Sequence, residues 1–582
     1  MGTILLNWFT HVFSLRWLTG PIFDKELRVS SRRRRNYVLR FVYIGLFVML
    51  LGLSWLRFAA WDTSSLYLSS RMAQVGQAIM MLVIWFQFLA AQMIAIVMLS
   101  TAISDEIYHR TLGVLMTTPI ASFQIVLGKL LSKLLQLLLL LAITLPLLAV
   151  VRVFGGVPWR YLVVSLCVTL TTVTFVGSLS LLLSIFTRRA YSVIISAVVT
   201  LGVIFGLLPI LVAFAVHEHV SGQQFNAVLT YVNPYILMGG VTETLVTARA
   251  AVLAPWPLHC AIMLTVSAAM LLLATVLVRR AALRQAVGEV RPSSRRRKGM
   301  TEKPFERAIR RVSGSPIFWK ERRSPLLGRI GLRTILVGLA TLGLLATTYV
   351  LCAREDILDE QGVHVVYAIV GGITGLLFTT VLSATAVTSE KESRTWSLLL
   401  TTTVGDWEIL MGKLLGAVRR SLPAWLPLFG HVTAFTLAGL IHPVAILQLG
   451  LAVAWMVFFL GGTGLYFSVR LRHTTTAVIA NVALAVSLWM VVPFLVGMVL
   501  AITRSGDDLI ELYADMIPVV QIGVVTGATA GGGPIGSYDW ARGNMNTVAD
   551  ATLWILLSAT IYGVISLVFL ARAAARLRKQ PF

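Results

Sequence analysis

Charged residues are scarce in this chain of 582 residues, where Asp, Glu, Lys and Arg together make up 13%. Soluble domains carry roughly a quarter. Apolar residues reach 57%, and the mean hydropathy is +0.83. This composition excludes an ordinary soluble protein and indicates a protein of the lipid bilayer. The formal net charge of +24 is then first a question of membrane sidedness, and only second a question of nucleic acid.

Cysteine is also rare. The three cysteines, Cys167, Cys260 and Cys352, all lie within or at the end of apolar stretches. They offer neither a disulfide framework nor the Cys and His spacing of a zinc site. The sequence therefore predicts no metal site and no redox centre in this chain.

Ionisable residues are essentially missing from the middle of the apolar stretches, although ion-coupled carriers usually place one there. A phosphate-binding loop is missing too. Gly128-Lys129 and Gly412-Lys413 resemble its end, but they lack the glycine five residues earlier and the Ser or Thr that follows the lysine. We interpret both lysines as side chains that reach from a span end to the lipid headgroups. The chain is expected not to be an enzyme and not to hydrolyse ATP alone.

Twelve apolar stretches of about 20 residues are present, each long enough to cross a bilayer as a helix. They lie near residues 37–57, 78–101, 124–150, 160–186, 191–216, 256–278, 332–352, 365–388, 414–440, 444–470, 475–502 and 551–573. The pattern predicts an all-α polytopic membrane protein. The predicted segments are 1–36 (interfacial and connecting helices), 37–280 (first six-span half), 281–331 (basic linker and second connecting helix), 332–573 (second six-span half) and 574–582 (basic tail).

The basic residues are strongly one-sided in this arrangement. If the N-terminus is cytoplasmic, every lysine and the arginine clusters at 32–35, 188–189 and 279–333 face the cytoplasm. The positive-inside rule therefore predicts a multi-pass protein of the cell (cytoplasmic or inner) membrane with both termini inside, a lipid partner and no nucleic acid. Residues 1–20 read as an interfacial amphipathic helix, with a loosely ordered leader as the alternative.

Three short signatures occur twice. The connecting segment Gly20-Pro-Ile-Phe-Asp-Lys-Glu26 matches Ser315-Pro-Ile-Phe-Trp-Lys-Glu321, and the loop signature Glu106-Ile-Tyr-His-Arg-Thr-Leu112 matches Glu390-Lys-Glu-Ser-Arg-Thr-Trp396. The Gly-Lys pairs follow the loop signatures at the same distance in both copies. Internal repeats in membrane transporters commonly flank a shared pathway. The chain is therefore interpreted as two fused copies of one membrane unit.

The loop between the second and third spans of each half has the pattern of a short amphipathic helix. In the first half, acidic residues begin it and Thr117-Thr118-Pro119 ends it, and residues 389–403 repeat the design. A stiff helix of this kind suits docking into a groove of a partner, and its duplication favours a two-fold partner. A surface helix that merely closes the loop is the alternative.

These residues resemble a known family. The run Glu106-x3-Arg-Thr-Leu-x3-Met-Thr-Thr-Pro119, followed by Ile125-Val-Leu-Gly-Lys-Leu-Leu131, is similar to the permease subunits of type-two ATP-binding-cassette exporters. The resemblance implies two pseudo-two-fold-related six-helix halves that export a substrate. It also implies a separate ATPase, in the form of a dimer that holds ATP and magnesium. This chain would have no cofactor of its own, and its substrate is not indicated.

The resemblance also implies roles for particular residues. Coupling to the ATPase would involve Asp105, Glu106, Arg110, Thr111, Leu112, Pro119, Glu390, Glu392, Arg394, Thr395 and Trp396. The inner-leaflet connecting helices would contribute Lys25, Glu26, Arg28, Lys320, Glu321 and Arg323. The family often has glycine where this chain has Arg110 and Arg394, which could pair with carboxylates on the ATPase.

Polar residues inside the predicted spans are the candidates for a substrate pathway. They are Gln87, Gln92, His431 and Asn481. A single buried histidine is more often a hydrogen-bonding residue than a proton relay. In the outer stretches 217–255 and 503–550, Pro234 and Pro518 keep a common register, which predicts broken or re-entrant helices. Ordinary loops are the alternative.

Two other function classes stay open. A twelve-span secondary carrier of the major facilitator plan would also have two six-span halves joined by a basic linker. That plan usually has a short Gly-Asp-Arg-rich loop between its second and third spans, which is absent here. A non-transporting component that transmits force through the membrane would look the same as a permease.

Overall fold

A computed structural model describes most of the chain. The residues that it describes are 21–26, 28, 41, 44–45, 48–49, 52, 68–108, 111–153, 157–186, 190–216, 221–247, 256–286, 314–323, 332–503, 508–533, 535–541, 543 and 547–578. This part of the chain is helical and has no β-strand, apart from one isolated bridge between Ile441 and Ala530. The predicted all-α class is confirmed.

The chain divides into two compact units, Met1–Ala308 and Ile309–Phe582. Each contains one copy of the repeat, and we call them the first and the second half. The helices of the first half are residues 21–26, Leu68–Ser100, Ser104–Tyr108, Leu112–Met116, Ser122–Val153, Trp159–Phe186, Ala190–Gly202, Leu208–Val216, Gly222–Val232, Pro234–Thr247 and Trp256–Ala286.

The second half repeats this order. Its helices are Pro316–Arg323, Leu332–Arg354, Gln361–Ala384, Thr388–Glu392, Trp396–Leu400, Asp406–Leu437, Val444–Arg470, Thr474–Val486, Val492–Thr503, Asp508–Ala514, Pro518–Thr529 and Val548–Arg576. In each half a π-helical turn, Val203–Leu207 or Ser487–Val491, interrupts the fifth predicted span.

Nine of the described helices are long and apolar enough to cross a membrane, or ten if one bent pair forms a span. They match nine of the twelve predicted spans. The first predicted span, near 37–57, falls largely outside the described residues. The predicted span at 332–352 is the helix Leu332–Arg354. The predicted span at 414–440 is the helix Asp406–Leu437, whose first half carries five charged residues.

The fourth span forms the centre of each half. Trp159–Phe186 packs against the second, third, fifth and sixth spans of its half, and Val444–Arg470 does the same. These are the most buried of the nine spans, with 18 of 28 and 18 of 27 residues buried. Small residues bring neighbouring spans close. A Cβ atom added to Gly371 would lie 2.9 Å from the backbone nitrogen of Leu428.

The predicted broken helices are present on the outer stretches. Asp508–Ala514 and Pro518–Thr529 meet at an angle of 81°. In the first half, Asn233 alone separates Gly222–Val232 from Pro234–Thr247. Proline begins the second helix of each pair because its fixed φ suits a first helical position and it needs no backbone N–H there.

Candidate functional site

Lys413 joins all three repeated signatures in the second half. Its side chain is 2% exposed, and its Nζ lies 2.6 Å from Glu321 Oε1 and 2.6 Å from Glu390 Oε1. Glu321 belongs to the connecting helix Pro316–Arg323, and Glu390 to the loop helix Thr388–Glu392. One ammonium group on the third span therefore holds the connecting helix and the loop helix together, and we call this group of three side chains the Lys413 centre.

Two glycines allow the connecting helix to lie this close to the third span. A Cβ atom on Gly412 would stand 2.8 Å from Ile317 Cγ2, and one on Gly416 would stand 2.9 Å from Glu321 Cβ. Such distances are too short for any larger residue without movement of the helix. The glycine of the Gly-Lys pair thus has a packing role, and the lysine beside it supplies the charge.

Further basic groups balance the two glutamates. Lys320 Nζ lies 3.0 Å from Glu390 Oε1, and Arg420 Nη2 lies 4.0 Å from Glu321 Oε2. Burial by itself would raise the pKa of Glu390, but the charges and hydrogen bonds of Lys413 and Lys320 outweigh it and hold that pKa below 4.5. Buried charges of this kind are tolerated because each has a hydrogen-bonded partner of opposite sign.

The first half splits the same charges into two pairs. Lys129 Nζ lies 3.0 Å from Glu106 Oε1, with the same separation of 23 residues as Lys413 and Glu390. The connecting residue Glu26 pairs instead with Lys133, at 3.3 Å. Burial opposes ionisation of Glu106, but the charge and hydrogen bond of Lys129, a hydrogen bond from Thr111 and the charge of Lys25 keep its pKa below the ordinary value. Both halves thus pair the lysine of the Gly-Lys pair with the glutamate of the loop. Only the second half brings the glutamate of the connecting helix to the same lysine.

The structure differs from the headgroup interpretation of these lysines. Lys129 and Lys413 are both buried and ion-paired within the protein. In sequence, a lysine near the end of a span that reaches the lipid headgroups looks the same as a lysine that forms a buried ion pair. Only the position of the glutamates, brought in from two other segments, separates the two possibilities.

The loop helix ends in a left-handed residue. Arg394 has φ +58°, and the N–H of Thr395 donates to the carbonyl oxygen of Glu390 at 3.0 Å. This is the six-to-one hydrogen bond of a Schellman ending, in which glycine is the usual residue. The first half has the same bond from Thr111 to the carbonyl of Glu106. The residue that corresponds to Arg394 there, Arg110, lies outside the described residues.

Leu112 and Trp396 lie inside the protein. Both are buried in the hydrophobic cores of their halves, at 1% and 2% exposure. They anchor the loop segments in these cores. Two residues further on, at the same register in both halves, Val114 and Leu398 are 67% and 68% exposed. The spacing of apolar residues in the loop sequence was the feature from which these two exposed positions could have been identified.

Two other exposed apolar residues follow at matching positions. Phe123 and Trp407 begin the third span of their halves and are 39% and 51% exposed. We call Val114, Phe123, Leu398 and Trp407 the exposed apolar pairs. The threonines and Pro119 that end the loop segments are exposed as well.

Glu392 and Lys391 fasten the second loop helix to two spans. Glu392 accepts hydrogen bonds from the backbone N–H and the hydroxyl of Thr474, both at 2.7 Å, where the fifth span begins. Lys391 donates to the carbonyl oxygens of Val469 and Leu471 at the end of the fourth span. Burial and the nearby Arg472 lower the pKa of Lys391 to about 8. A displacement of the loop helix would therefore act on the third, fourth and fifth spans.

The remaining predicted residues are placed more simply. Lys25 and Arg28 are exposed, and the guanidinium of Arg323 lies 3.8 Å above the ring of Trp319. The side chain of Asp105 lies outside the described residues. Throughout the described ranges, no group of three or more His, Cys, Asp or Glu residues is arranged to hold a metal ion.

The four pathway candidates make hydrogen bonds inside the protein. Each is buried and hydrogen-bonded within its own half: Gln87 with Thr144, Gln92 with Tyr235, Asn481 with Thr463 and the carbonyl of Thr380, and His431 with Tyr349 and His364. These contacts are those of packing residues between helices. The geometry does not single out a substrate among them.

The comparison with protein families agrees with this architecture. The family model described as ABC-2 family transporter protein matches residues 21–283 and again residues 300–573, once in each half. No curated protein and no solved structure matches the chain. The matches begin at the first connecting segment and end in the sixth span of the second half, and so include the Lys413 centre and its counterpart. The chain belongs to the ABC-2 family of transporter proteins, as a multi-pass, non-catalytic permease component that carries two copies of the unit.

Proposed function

We propose that this chain exports a substrate across the cell membrane, driven by ATP hydrolysis in a separate ATPase that docks on the two loop segments. The observation that carries the proposal is the Lys413 centre, because its buried charges fix the loop helix Thr388–Glu392 to a membrane span, and this helix leads directly into the helix Trp396–Leu400 that exposes Leu398. ATP and magnesium belong to the ATPase in this scheme. Both termini and both loop segments face the cytoplasm, as the distribution of basic residues supports.

The docking surface is formed by the exposed apolar pairs. Val114 and Leu398 stand on short stiff helices whose opposite sides are buried through Leu112 and Trp396. Apolar side chains exposed to this degree at matching positions are typical of a binding surface, where a helix fits a hydrophobic groove. Since each half presents one such surface, an ATPase dimer is the partner that we propose.

Transmission follows from the contacts of the loop helix. When nucleotide closes the ATPase dimer, the loop helix moves with it, and the Lys413 centre carries the motion to the third span. Glu392 and Lys391 carry it to the fifth and fourth spans. A change of access then results from rigid movement of helices, as in other switching proteins.

The test replaces Leu398 and Val114 by Asp in the full-length protein. Losing a buried leucine contact removes about 1.5–3 kcal/mol of association free energy, so ATPase binding is expected to weaken by at least tenfold. Binding is measured by co-purification with the P-loop ATPase and by stimulation of its ATP turnover. Leu509→Asp is the matched control, because Leu509 is 54% exposed on an outer helix.

Unchanged binding in the Leu398 and Val114 double variant contradicts the docking surface. A chain that co-purifies with no ATPase and transports on a proton or sodium gradient is instead a secondary carrier. An ATPase complex that turns over ATP without moving any solute fits the non-transporting alternative.

A further inference from the structure

The fifth span of each half contains a π-helical turn at the same register. Val203–Leu207 and Ser487–Val491 are 284 residues apart, the offset that also separates Lys129 from Lys413. A π turn is rare and occurs most often as a single-turn bulge at a functional position. Because the π turn occurs at the same position in both halves, although their sequences have diverged, we regard it as a feature of the repeated membrane unit.

The hydrogen bonds show the altered register of the turn. In the first half the N–H of Leu208 donates to the carbonyl of Val203, and in the second the N–H of Val492 donates to the carbonyl of Ser487. The partner is five residues back, where an α-helix would use four. This shift leaves a carbonyl group near the turn without its ordinary partner, and such a group inside a membrane protein needs another donor.

In the first half, Asn233 supplies a side-chain donor to a carbonyl of the turn. Its Nδ2 donates to the carbonyl oxygen of Phe205, at 2.7 Å. Its Oδ1 accepts from the backbone N–H groups of Tyr235 at 3.0 Å and Ile236 at 3.4 Å. Asn233 thus caps the second helix of the broken pair and holds the π turn with the same side chain.

In the second half, Tyr513 makes a related contact one position earlier in the π turn, since Leu488 corresponds to Ile204 of the first half. Its hydroxyl donates to the carbonyl oxygen of Leu488 within the π turn, at 2.7 Å. Gly497 lets the first helix of the broken pair approach, since a Cβ atom there would lie 3.3 Å from Ile510. The donor residue has changed between the halves, but the link between outer segment and π turn has been kept.

The same regions reach other spans. Tyr235 donates to Gln92 Oε1 on the second span at 2.6 Å, and Trp489 of the other π turn donates to Tyr562 on the sixth span at 3.2 Å. The outer segment, the π turn and a neighbouring span are therefore tied together in both halves.

We propose that Asn233 and Tyr513 are positioning residues that latch the fifth spans in their present register. In this proposal, which rests on the proposed transport function, the bond breaks when the outer segment moves during the cycle. The π turn then passes to a new position along the helix, and the span changes register without unwinding. Helix register shifts of this kind are a recognised form of conformational change.

The first experiment needs no substrate and no ATPase. Full-length protein with Tyr513→Phe, in lipid nanodiscs, is compared with wild type by hydrogen–deuterium exchange of residues 487–492. Loss of one hydrogen bond is expected to speed exchange there by about fivefold. Tyr231→Phe, on the corresponding helix of the first half, is the control. In parallel, Asn233→Ser keeps a capping oxygen but cannot reach Phe205, and Asn226→Ser serves as its exposed control.

The second experiment separates a latch from a merely structural bond. Wild type bound to its ATPase and trapped with ATP and vanadate is expected to exchange about fivefold faster at 487–492 than without nucleotide. Tyr513→Phe is expected to show the faster rate in both conditions, with an unchanged melting temperature. Equal exchange in wild type and variant overturns the latch, as does a nucleotide response that survives in the variant. If no ATPase binds, the proposed function fails, while the first experiment still decides whether the bond holds the turn.

Discussion

Lys413 and Glu321 are 92 residues apart in sequence, yet their charged atoms lie 2.6 Å apart in a position almost sealed from water. Glu390 approaches the same ammonium from a third segment. The first half places its corresponding glutamates on two different lysines, Lys129 and Lys133. The two halves are therefore expected to respond differently when one charge is removed.

Lys413→Met is expected to destabilise the protein by about 3–5 kcal/mol, because two buried carboxylates lose their common partner. Lys129→Met leaves only Glu106, whose side chain is 25% exposed, and is expected to cost clearly less. Thermal unfolding of the detergent-purified protein, followed by tryptophan fluorescence, measures both. Adding Glu321→Gln and Glu390→Gln to the Lys413 variant should recover much of the loss. Equal melting temperatures for the two single variants would contradict the difference between the halves.

Exchanging the glutamate and the lysine of the loop ion pair should preserve stability in the first half but not in the second. Glu106→Lys with Lys129→Glu rebuilds a simple pair, so the double variant is expected to be more stable than either single variant. Glu390→Lys with Lys413→Glu is expected to show no such recovery, since the new glutamate would face Glu321 and the new lysine would face Lys320. A double-mutant cycle on the melting temperature gives the coupling for each pair. Recovery of the second pair would show that the Lys413 centre is not a shared site.

Arg394→Gly is expected to stabilise the second half slightly, by up to about 1 kcal/mol, because glycine relieves the left-handed backbone. The same change removes an exposed positive charge four residues before Leu398 of the proposed docking surface, so binding of the ATPase should become weaker and less sensitive to salt. Arg394→Asn, which tolerates the same φ without the charge, is the control for binding. Arg394→Val should destabilise the protein, since a β-branched residue does not tolerate this conformation. Increased stability in the valine variant would contradict the backbone argument.

The lowered pKa of Lys391 predicts that the stability of the protein depends on pH in the alkaline range. Its folded pKa of about 8 lies below the ordinary 10.5, so the folded protein releases this proton more readily than the unfolded chain. Stability contributed by this group is therefore expected to rise between pH 8 and 10.5. The measurement is the difference in melting temperature between wild type and Lys391→Met across that range, because other groups titrate equally in both. A difference that stays constant from pH 8 to 10.5 contradicts the assignment.

Much of the fold was predictable because its causes are local. Apolar stretches of the length of a bilayer form spans wherever they occur, and Pro518 begins a helix because proline suits that position. The repeat also identified the segments that matter, and both Glu390 and Lys413 were visible as repeated residues.

The role of those residues was decided by packing over long distances. Whether Lys413 meets lipid or protein depends on where the connecting helix lies, and that depends on Gly412 and Gly416 admitting it. In the same way, Trp396 is buried and Leu398 is exposed because the short helix Trp396–Leu400 packs one of its faces against the protein. The sequence by itself determined the membrane environment, the helical class, the duplication and the family. The tertiary structure alone decided which repeated charges meet, which face of the loop is free, and which side chains hold the π turns, because each of these requires atoms from segments far apart in the chain.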